Sequence, residues 1–471
     1  MLHSFIKKAT VILAAITVSA CSNTSMLAEP ETENSSANTS SANNPPNILM
    51  ILSDDHAWND YSFMGHEIVK TPSLDKLASQ GATFKRGYVP TSLCRPSLAT
   101  VATGLYAYQH GITGNDPART LPGGKKGELY AQQRAEIIAK IDKVETIANL
   151  LKPKGYVSLQ TGKWWEGSFS RGGFDQGMTR GFPDKGGRHG DDGLKIGRQG
   201  VSIITNFMDK TAQQGKPFFV WYAPFMPHTP HTPPSRILEK YSDKGLAPSI
   251  AKYYAMIEWF DETNGQLLDH LEKTGLKDNT LIVYVSDNGW VTNPKQTDRF
   301  LPKSKQSPNE SGVRTPIMYS LPSKIPAQMR PELTSSIDIV PTVLGAAGID
   351  VPAHLPGKNL FPELTQQTPI ERDTIFGEGF AHDMDDINNP ESSLLYRWVI
   401  KDNWKLIVSY DGKNVSYQKY HDALTQGPRL FNLANDEYEK VNLAKQYPEM
   451  VEKLKQELVD WYPLKQRKMV N

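Results

Sequence analysis

The sequence has few cysteines, no excess of either charge and no internal repeat. Only two of its 471 residues are cysteine, which excludes a disulfide framework for a chain of this size. Lys and Arg number 52 against 51 Asp and Glu, so a general nucleic-acid binder, which needs a basic excess, is disfavoured. The 38% of hydrophobic and 22% of charged residues are typical of a large globular protein with an extensive core.

The first apolar run of the chain, residues 9–18, is too short to cross a bilayer as a helix. It follows two lysines and precedes small residues, so we predict a secretory signal peptide over residues 1–20. Cys21 directly after Val-Ser-Ala resembles a bacterial lipobox, which implies lipidation of Cys21; the alternative is an ordinary leader cut nearby. Residues 21–46, rich in Ser, Asn and Thr, are expected to form a disordered tether. This pattern predicts an exported, periplasmic or cell-surface lipoprotein, held on a bacterial membrane only by its lipid anchor.

Between residues 47 and 368, short apolar runs ending in polar corners alternate with segments of helical periodicity. The predicted strands are 47–52, 156–159, 217–222 and 281–285, and the predicted helices are 73–80, 143–152, 201–210 and 249–274. This alternation predicts an α/β domain with a large, mostly parallel sheet sandwiched by helices. Ligands bind beyond the carboxyl ends of the strands in such sheets, where these polar corners fall.

Residues 369–471 show a different pattern, which predicts a small C-terminal α+β subdomain with an antiparallel sheet. Residues 396–400 and 404–409 flank Asp402-Asn403 as a hairpin, residues 414–417 could add a third strand, and residues 450–461 form an amphipathic helix.

Two polar corners carry candidate metal ligands, Asp54 and Asp55 after the first strand and Asp287 and Asn288 after a later one. Hard oxygen ligands suit Ca²⁺ or, as a second choice, Mg²⁺. Each pair taken alone is more often a helix cap or a turn.

Cys94 lies just before Pro96 at a predicted helix start. A nucleophile there faces the positive end of a helix, which favours an anion or an anionic transition state. The alternative is a buried, inert thiol.

A glycine-rich segment over residues 171–193 contains eight glycines among charged residues. We interpret it as an irregular lid over the strand ends, with a flexible surface loop as the alternative.

A series of motifs in fixed order resembles the formylglycine-dependent sulfatases of the alkaline phosphatase-like superfamily. The motifs are N-I-L-M-I-L-S-D-D, T-P-S-L-D-K-L-A-S-Q-G, S-L-C-R-P-S-L-A-T-V-A-T-G-L-Y, T-G-K-W, M-P-H-T-P, S-D-N-G and S-K-Q-S-P-N-E-S-G-V-R-T-P, followed by L-F-N-L-A-N-D-E-Y-E-K-V-N-L-A near the end. They extend over nearly all of residues 47–461, and their joint order is far more specific than any one of them.

The resemblance implies that Cys94 is oxidised by a formylglycine-generating maturation enzyme, and that the hydrated aldehyde attacks the sulfur of a sulfate ester. It implies a Ca²⁺ ion on Asp54, Asp55, Asp287 and Asn288. By position, the family residues that contact the sulfate or its leaving oxygen are Lys163, His228 and Lys305. Without the motif order, these three would be read as solvated lysines and a loop histidine.

Two positions depart from the family pattern. Leu98 stands where the family has an arginine, and we expect either that Arg95 compensates or that Arg95 is structural. Trp165 stands where the family has a histidine that deprotonates the hydrate, so another base is needed. His189 in the glycine-rich segment is our candidate, with a surface histidine as the alternative.

We therefore expect hydrolysis of a sulfate ester on a carbohydrate. Trp165, together with Trp164 and Trp290, could stack on a sugar ring or pack in the core. The sequence identifies neither the sugar nor the sulfated position, nor exo or endo action. The alternatives are a phosphatase or phosphodiesterase on the same scaffold, and a non-catalytic protein that binds sulfated glycans.

Overall fold

The computed structural model describes residues 45–410 and 426–470. The predicted signal peptide, Cys21, nearly all of the tether and the predicted strand at 414–417 lie outside these residues. In the described part of the chain, no helix has the length and apolar character required to cross a membrane.

The strands lie along the whole described chain. They are β1 Asn47–Ser53, β2 Ala82–Phe84, β3 Gly87–Tyr88, β4 Asp116–Pro117, β5 Val157–Gly162, β6 Gln176–Gly177, β7 Phe218–Ala223, β8 Thr280–Ser286, β9 Ile317–Ser320, β10 Gln328–Arg330, β11 Thr334–Ser335, β12 Thr374–Phe380, β13 Asp383–Met384, β14 Leu394–Lys401, β15 Trp404–Ser409 and β16 Arg429–Asn432.

The α-helices alternate with these strands. They are α1 Pro72–Ser79, α2 Cys94–Thr103, α3 Ala107–His110, α4 Glu128–Ile138, α5 Ile147–Leu151, α6 Ser202–Gln213, α7 Ser235–Ser242, α8 Pro248–Lys273, α9 Glu310–Val313, α10 Ile339–Ala346, α11 Phe361–Gln366 and α12 Pro448–Trp461.

The large sheet has the strand order β10-β2-β9-β8-β1-β7-β5-β6. Its neighbouring strands are parallel except for the two pairs made by β9, so the predicted mostly parallel sheet is confirmed. The central strand β1 is buried along its full length. It pairs with β7 on one side and β8 on the other, and these neighbours hold in place the turn that follows Ser53.

Helices cover both faces of this sheet because side chains of a strand alternate between faces. Ile48, Met50 and Leu52 pack into one core cluster with residues of α2, α5 and α10. Leu49 and Ile51 pack into the opposite cluster with residues of α1, α6 and α8. Periodicity predicted α1, α5, α6 and α8 of this arrangement, but it did not predict α10.

One predicted helix is wrong at its start. The sequence pattern predicted helix from Lys143, but α5 begins only at Ile147. Thr146 is the N-cap, and its side chain accepts a hydrogen bond from the backbone N–H of Asn149. Such a cap fixes the start of a helix locally, whereas apolar spacing does not.

The C-terminal sheet has the order β12-β14-β15-β16 and is antiparallel throughout. The hairpin of β14 and β15 around Asp402 and Asn403 is confirmed, and α12 agrees with the predicted closing helix. The pattern did not reveal β12 or β16. The domain boundary at residue 368 stays a prediction.

A buried ionic network joins this sheet to the loop before β9. Lys405 of β15 donates a 2.8 Å hydrogen bond to Glu310 and lies 2.9 Å from Glu439. Tyr88 also donates to Glu310, and Glu439 accepts from the backbone of Glu310. Because buried carboxylates require such partners, the network fixes the chain just after Lys305.

Candidate active site

The two predicted acidic corners meet at one edge of the large sheet. Ser53 of β1 pairs with Ser286 of β8 in parallel register, so the residues that follow them are neighbours. The backbone N–H of Asp55 donates to Asp287 Oδ1 at 3.1 Å, and the side chain of Asn288 donates to Asp55 Oδ1 at 2.6 Å. Asp55 has a φ of 64°, a left-handed conformation that turns the chain sharply here.

The donor set of this corner fits a hard cation. Asp54, Asp55, Asp287 and Asn288 are all at least 97% buried. Asn288 Oδ1 and Asp287 Oδ2 accept no hydrogen bond from any residue that the structure describes. Buried oxygens are rarely left unpaired, so both are suited to act as ligands of Ca²⁺ or Mg²⁺.

Two buried lysines face these carboxylates. Lys163, just after β5, donates to both oxygens of Asp54 at 2.8 and 2.7 Å, and its Nζ lies 3.7 Å from Asp287 Oδ2. Lys305 donates to both oxygens of Asp55 at 2.6 and 2.7 Å. Burial alone would lower the pKa of each lysine, but the carboxylates outweigh it and raise both pKa values. Both ammonium groups therefore stay charged.

Burial has the opposite effect on the pKa of Asp54, because it disfavours the charged form of each group. It raises the pKa of Asp54 to about 7, helped by the neighbouring charge of Asp287 and opposed by Lys163. The raised pKa reflects a buried corner in which three carboxylates face two ammonium groups.

Cys94 is the first residue of α2, as predicted. Its Sγ lies 4.0 Å from Asp54 Oδ1, and the side chain is 1% exposed. Burial raises the pKa of the thiol to about 12, against the opposing effect of Lys163 and Lys305. An unmodified Cys94 would therefore be a poor nucleophile near neutral pH.

His228 in the loop after β7 completes this group. Ligand atoms of His228, Asp54, Asp55 and Cys94 all lie within 4.8 Å of one another. His228 Nδ1 donates to the carbonyl oxygen of Thr229 at 2.6 Å, and Nε2 lies 3.5 Å from Asp55 Oδ2. Burial lowers the pKa of His228 well below its usual value, so the imidazole is neutral.

The side chain of Arg95 contacts Glu166 and Asn115. Its Nε and Nη2 donate to the two oxygens of Glu166 at 2.8 and 2.6 Å, and its Nη1 donates to the carbonyl oxygen of Asn115. The side chains of Arg95 and Glu166 are 0% and 3% exposed. These contacts favour the structural role that the sequence left open for Arg95. Leu98 belongs to the hydrophobic core.

Trp165 and His189 form one wall beside Lys163. Their ring centroids are 5.1 Å apart, and Lys163 Nζ lies 5.9 Å from the Trp165 ring. Burial lowers the pKa of His189 to about 3, and the charges of Lys163 and Arg188 act in the same direction. The histidine that the family has at position 165 is thus absent, while another imidazole lies against the residue that replaces it.

Tryptophan burial bears on the predicted sugar stacking. Trp164 packs edge-on against Phe174 and Trp221, and Trp290 packs against Phe300. Both are 3% exposed, which favours the core-packing alternative for these two side chains. Trp165 is 4% exposed, but its ring lies near Lys163, Arg188 and His189.

Two residues of the site were missed by the sequence reasoning. Glu166 follows Trp165 directly, and its position next to the T-G-K-W motif could have identified it as a candidate site residue. Arg198 donates to the backbone carbonyls of Phe225, His228 and Pro230, which holds the loop of His228. Nothing in the sequence near Arg198 indicates this contact.

The sheet edge places two buried ammonium groups and a carboxylate corner suited to a cation beside a buried thiol, an arrangement that suits a hydrolase of anionic esters. Comparisons with known proteins narrow this class. The family model for sulfatases matches residues 46–349, and the model for the C-terminal part of N-sulphoglucosamine sulphohydrolase matches residues 304–462. The chain belongs to the sulfatase family and is a sulfuric ester hydrolase.

The relatives include N-acetylgalactosamine-6-sulfatase of Homo sapiens, which is 28% identical over 86% of this chain and 83% of its own length. N-acetylglucosamine-6-O-sulfatase of Bacteroides thetaiotaomicron is 24% identical over 76% of each chain. A solved sulfatase from Pseudoalteromonas sp. has a TM-score of 0.67 at 20% identity and covers 90% of this chain and 92% of its own. That similarity confirms the predicted fold.

Proposed function

We propose that the protein removes sulfate from a carbohydrate, using a formylglycine formed from Cys94 and a Ca²⁺ ion held by Asp54, Asp55, Asp287 and Asn288. The observation that carries this proposal is the position of Cys94, at the start of α2 and 4.0 Å from Asp54, beside two buried lysines. A carbohydrate substrate is supported by the names of the relatives, several of which act on sulfated amino sugars.

The charge of the site supports an anionic ester as the substrate. Asp54, Asp55 and Asp287 face the ammonium groups of Lys163 and Lys305. When bound, a divalent cation would offset carboxylate charge and polarise an oxygen of the ester. The corner would then be net positive, and the names of the relatives favour a sulfate ester over a phosphate ester.

Formylglycine would supply a hydrated aldehyde whose hydroxyl attacks the sulfur. The maturation enzyme supplies the oxidant for its formation, and the buried thiol, with its high pKa, explains why conversion is needed. Lys163 and Lys305 stabilise negative charge on the sulfate and the leaving oxygen. His228 Nε2 is the group from which the leaving sugar oxygen takes its proton, because Nδ1 is engaged with Thr229. The negative substrate would favour the protonated form of His228.

For the proton of the attacking hydroxyl, we propose His189 as the acceptor. Its ring lies against Trp165, and Trp165 in turn lies near Lys163 Nζ. Burial keeps the imidazole neutral, and the negative charge of a bound substrate would raise its pKa toward the range that a base requires. Trp165 would line the substrate pocket beside it.

The test combines mass spectrometry of the Cys94 peptide with an activity assay. The chain is coexpressed with a formylglycine-generating enzyme, loaded with Ca²⁺ and given N-acetylgalactosamine 6-sulfate, N-acetylglucosamine 6-sulfate and the matching 6-phosphates. We expect conversion of thiol to aldehyde, release of sulfate, and no release by Cys94→Ala. Phosphate release that survives in Cys94→Ala would overturn the proposal in favour of a phosphoesterase.

Export and lipid attachment at Cys21 stay part of the proposal. They rest on the apolar leader followed by Val-Ser-Ala-Cys. Replacing Cys21 by Ser should release the protein from the membrane fraction; a membrane-bound Cys21→Ser variant would contradict lipidation.

A further inference from the structure

Arg188 lies on the rim of the active site, beside the wall formed by Trp165 and His189. Its guanidinium carbon is 4.6 Å from the centroid of the Trp165 ring, and Lys163 Nζ is 5.9 Å from the same ring. The Trp165 indole therefore lies between Arg188 on the rim and Lys163 at the reaction centre. Both cations act on His189, since each lowers the pKa of that imidazole.

The position of Arg188 is built into the fold. Its Nε donates to Asp116 Oδ1 at 3.1 Å, and its Nη2 donates to Asp116 Oδ2 at 2.5 Å. Asp116 is fully buried, whereas the side chain of Arg188 is 38% exposed. The buried carboxylate and the indole thus hold the guanidinium in one orientation while part of it faces solvent.

Asp116 does not need Arg188 for neutrality. Arg134, 7% exposed, already pairs with Asp116 Oδ1. The neighbouring Asp383 has its own basic partners, Arg119 and His382, so Asp116 is the carboxylate that Arg134 and Arg188 share. Arg188 is the more exposed of these two arginines and is the one stacked on the Trp165 ring.

Resting on the proposed function, we infer that Arg188 binds a second anionic group of the substrate, a sulfate or carboxylate on the sugar whose sulfate ester lies at Lys163 or on its neighbour. Arg188 Nη1 donates no hydrogen bond to any residue within 45–410 or 426–470, which leaves it for an oxyanion. Guanidinium groups bind planar or tetrahedral oxyanions well. The substrate class is therefore a polyanionic glycan, and Arg188 is a specificity-determining residue.

The test measures binding, so that it does not depend on turnover. In Ca²⁺ buffer, the Cys94→Ala protein is titrated calorimetrically with a monosulfated amino sugar, with D-glucosamine-2-N,6-O-disulfate, and with a monosulfated disaccharide that carries a uronate. We expect tighter binding of at least one dianionic ligand, and the two dianions distinguish a sulfate from a carboxylate as the second group. The preference should fall as salt rises.

Adding Arg188→Ala to this protein should weaken binding of the preferred dianion about 10- to 100-fold more than binding of the monosulfated sugar. Arg188→Lys should restore part of the preference, since it keeps the charge but loses the fork. Arg180→Ala is the matched control, because Arg180 lies in the same loop, is exposed and pairs with Asp184 and Asp192. The control should leave the preference unchanged.

Equal weakening for all ligands, or no preference before Arg188 is replaced, would overturn the inference. Thermal unfolding of each variant shows whether a loss comes from misfolding, and pairing of Asp116 with Arg134 should preserve the fold. A preference that depends on Arg188 in a protein without sulfatase activity would refute the proposed function but keep the inference.

Discussion

Arg95 and Glu166 form a buried, bidentate ion pair that joins the residue after Cys94 to the residue after Trp165. The pair connects the first turn of α2 to the loop that carries Lys163. It also lies next to one of the positions at which the chain departs from the family pattern. The contact therefore ties the segment of Cys94 to the segment of Lys163.

Breaking this pair should destabilise the protein strongly. Glu166→Ala leaves the guanidinium of Arg95 buried without its carboxylate, which costs about 3–5 kcal/mol of unfolding free energy. Urea unfolding measures this loss, and Arg95→Met combined with Glu166→Leu should lose less than the two single changes together. Glu262→Ala, which removes an exposed pair with Arg236, should cost less than about 1 kcal/mol. A similar cost for Glu166→Ala and Glu262→Ala would show that the buried pair is not structural.

Replacing Asn288 should abolish a calcium response. Its Oδ1 accepts no hydrogen bond from the described residues, so Asn288→Ala removes a ligand without breaking a contact of that oxygen. We expect Ca²⁺ to raise the melting temperature of the wild type, because free Ca²⁺ at 100 times its Kd adds about 2.7 kcal/mol to the free energy of unfolding. The melting temperature of Asn288→Ala should rise much less. Asn264→Ala changes another fully buried asparagine, in α8, and should keep the response. Equal responses in both variants would exclude Asn288 as a ligand.

His189→Ala should lower kcat about 100-fold with little change in KM, because a proton acceptor acts on the chemical step. Since the pKa of His189 is about 3, the imidazole is neutral over roughly pH 5 to 8. The defect should therefore be the same size across that range. His270→Ala, which removes a partly exposed partner of Asp209, should leave kcat unchanged. Full activity of His189→Ala would remove His189 as the base and leave the rest of the site untouched.

Glu378 should make the protein less stable as pH rises. Burial raises its pKa from 4.5 to about 8, with the N–H of Tyr108 and the charge of Arg397 in opposition. Between these pH values the folded state holds a proton that the unfolded state has lost. The contribution of Glu378 to the free energy of unfolding is therefore fully present below pH 4.5. It falls by about 1.4 kcal/mol per pH unit until the pH passes about 8.

Glu378→Gln should flatten this dependence, because a neutral amide cannot ionise. Urea unfolding over a series of pH values compares it with the wild type and with Glu128→Gln, an exposed position at the start of α4. Equal slopes in the wild type and Glu378→Gln would contradict the raised pKa.

Most of the fold could be predicted from the sequence, because the periodicity of strands and helices is a local property of the chain. The bounds of β1, β7, β8 and α8 differ from the predicted ones by only one or two residues. The start of α5 was missed since the cap of Thr146 overrides apolar spacing. Strand β12 was missed because Gly377 and Gly379 weaken its strand pattern, and β16 was missed because it has only four residues.

The positions of the candidate site residues followed from the order of motifs, and their partners did not. Asp54 and Asp287 could be placed together because parallel strands end at one edge of a sheet. The pairing of Arg95 with Glu166, 71 residues apart, depends on how a loop folds back on a helix. The role of Arg188 could not be predicted for the same reason, because it depends on contacts with Asp116 and Trp165, which lie elsewhere in the sequence.

The network of Glu310, Lys405 and Glu439 has a consequence for the order in which the molecule can be completed during translation. Glu310 lies five residues after Lys305, yet its closest cation is supplied by a residue synthesised 95 positions later. While the ribosome is still reading the codons between them, this carboxylate lacks that partner. The segment after Lys305 therefore gains this contact only after β15 has been synthesised.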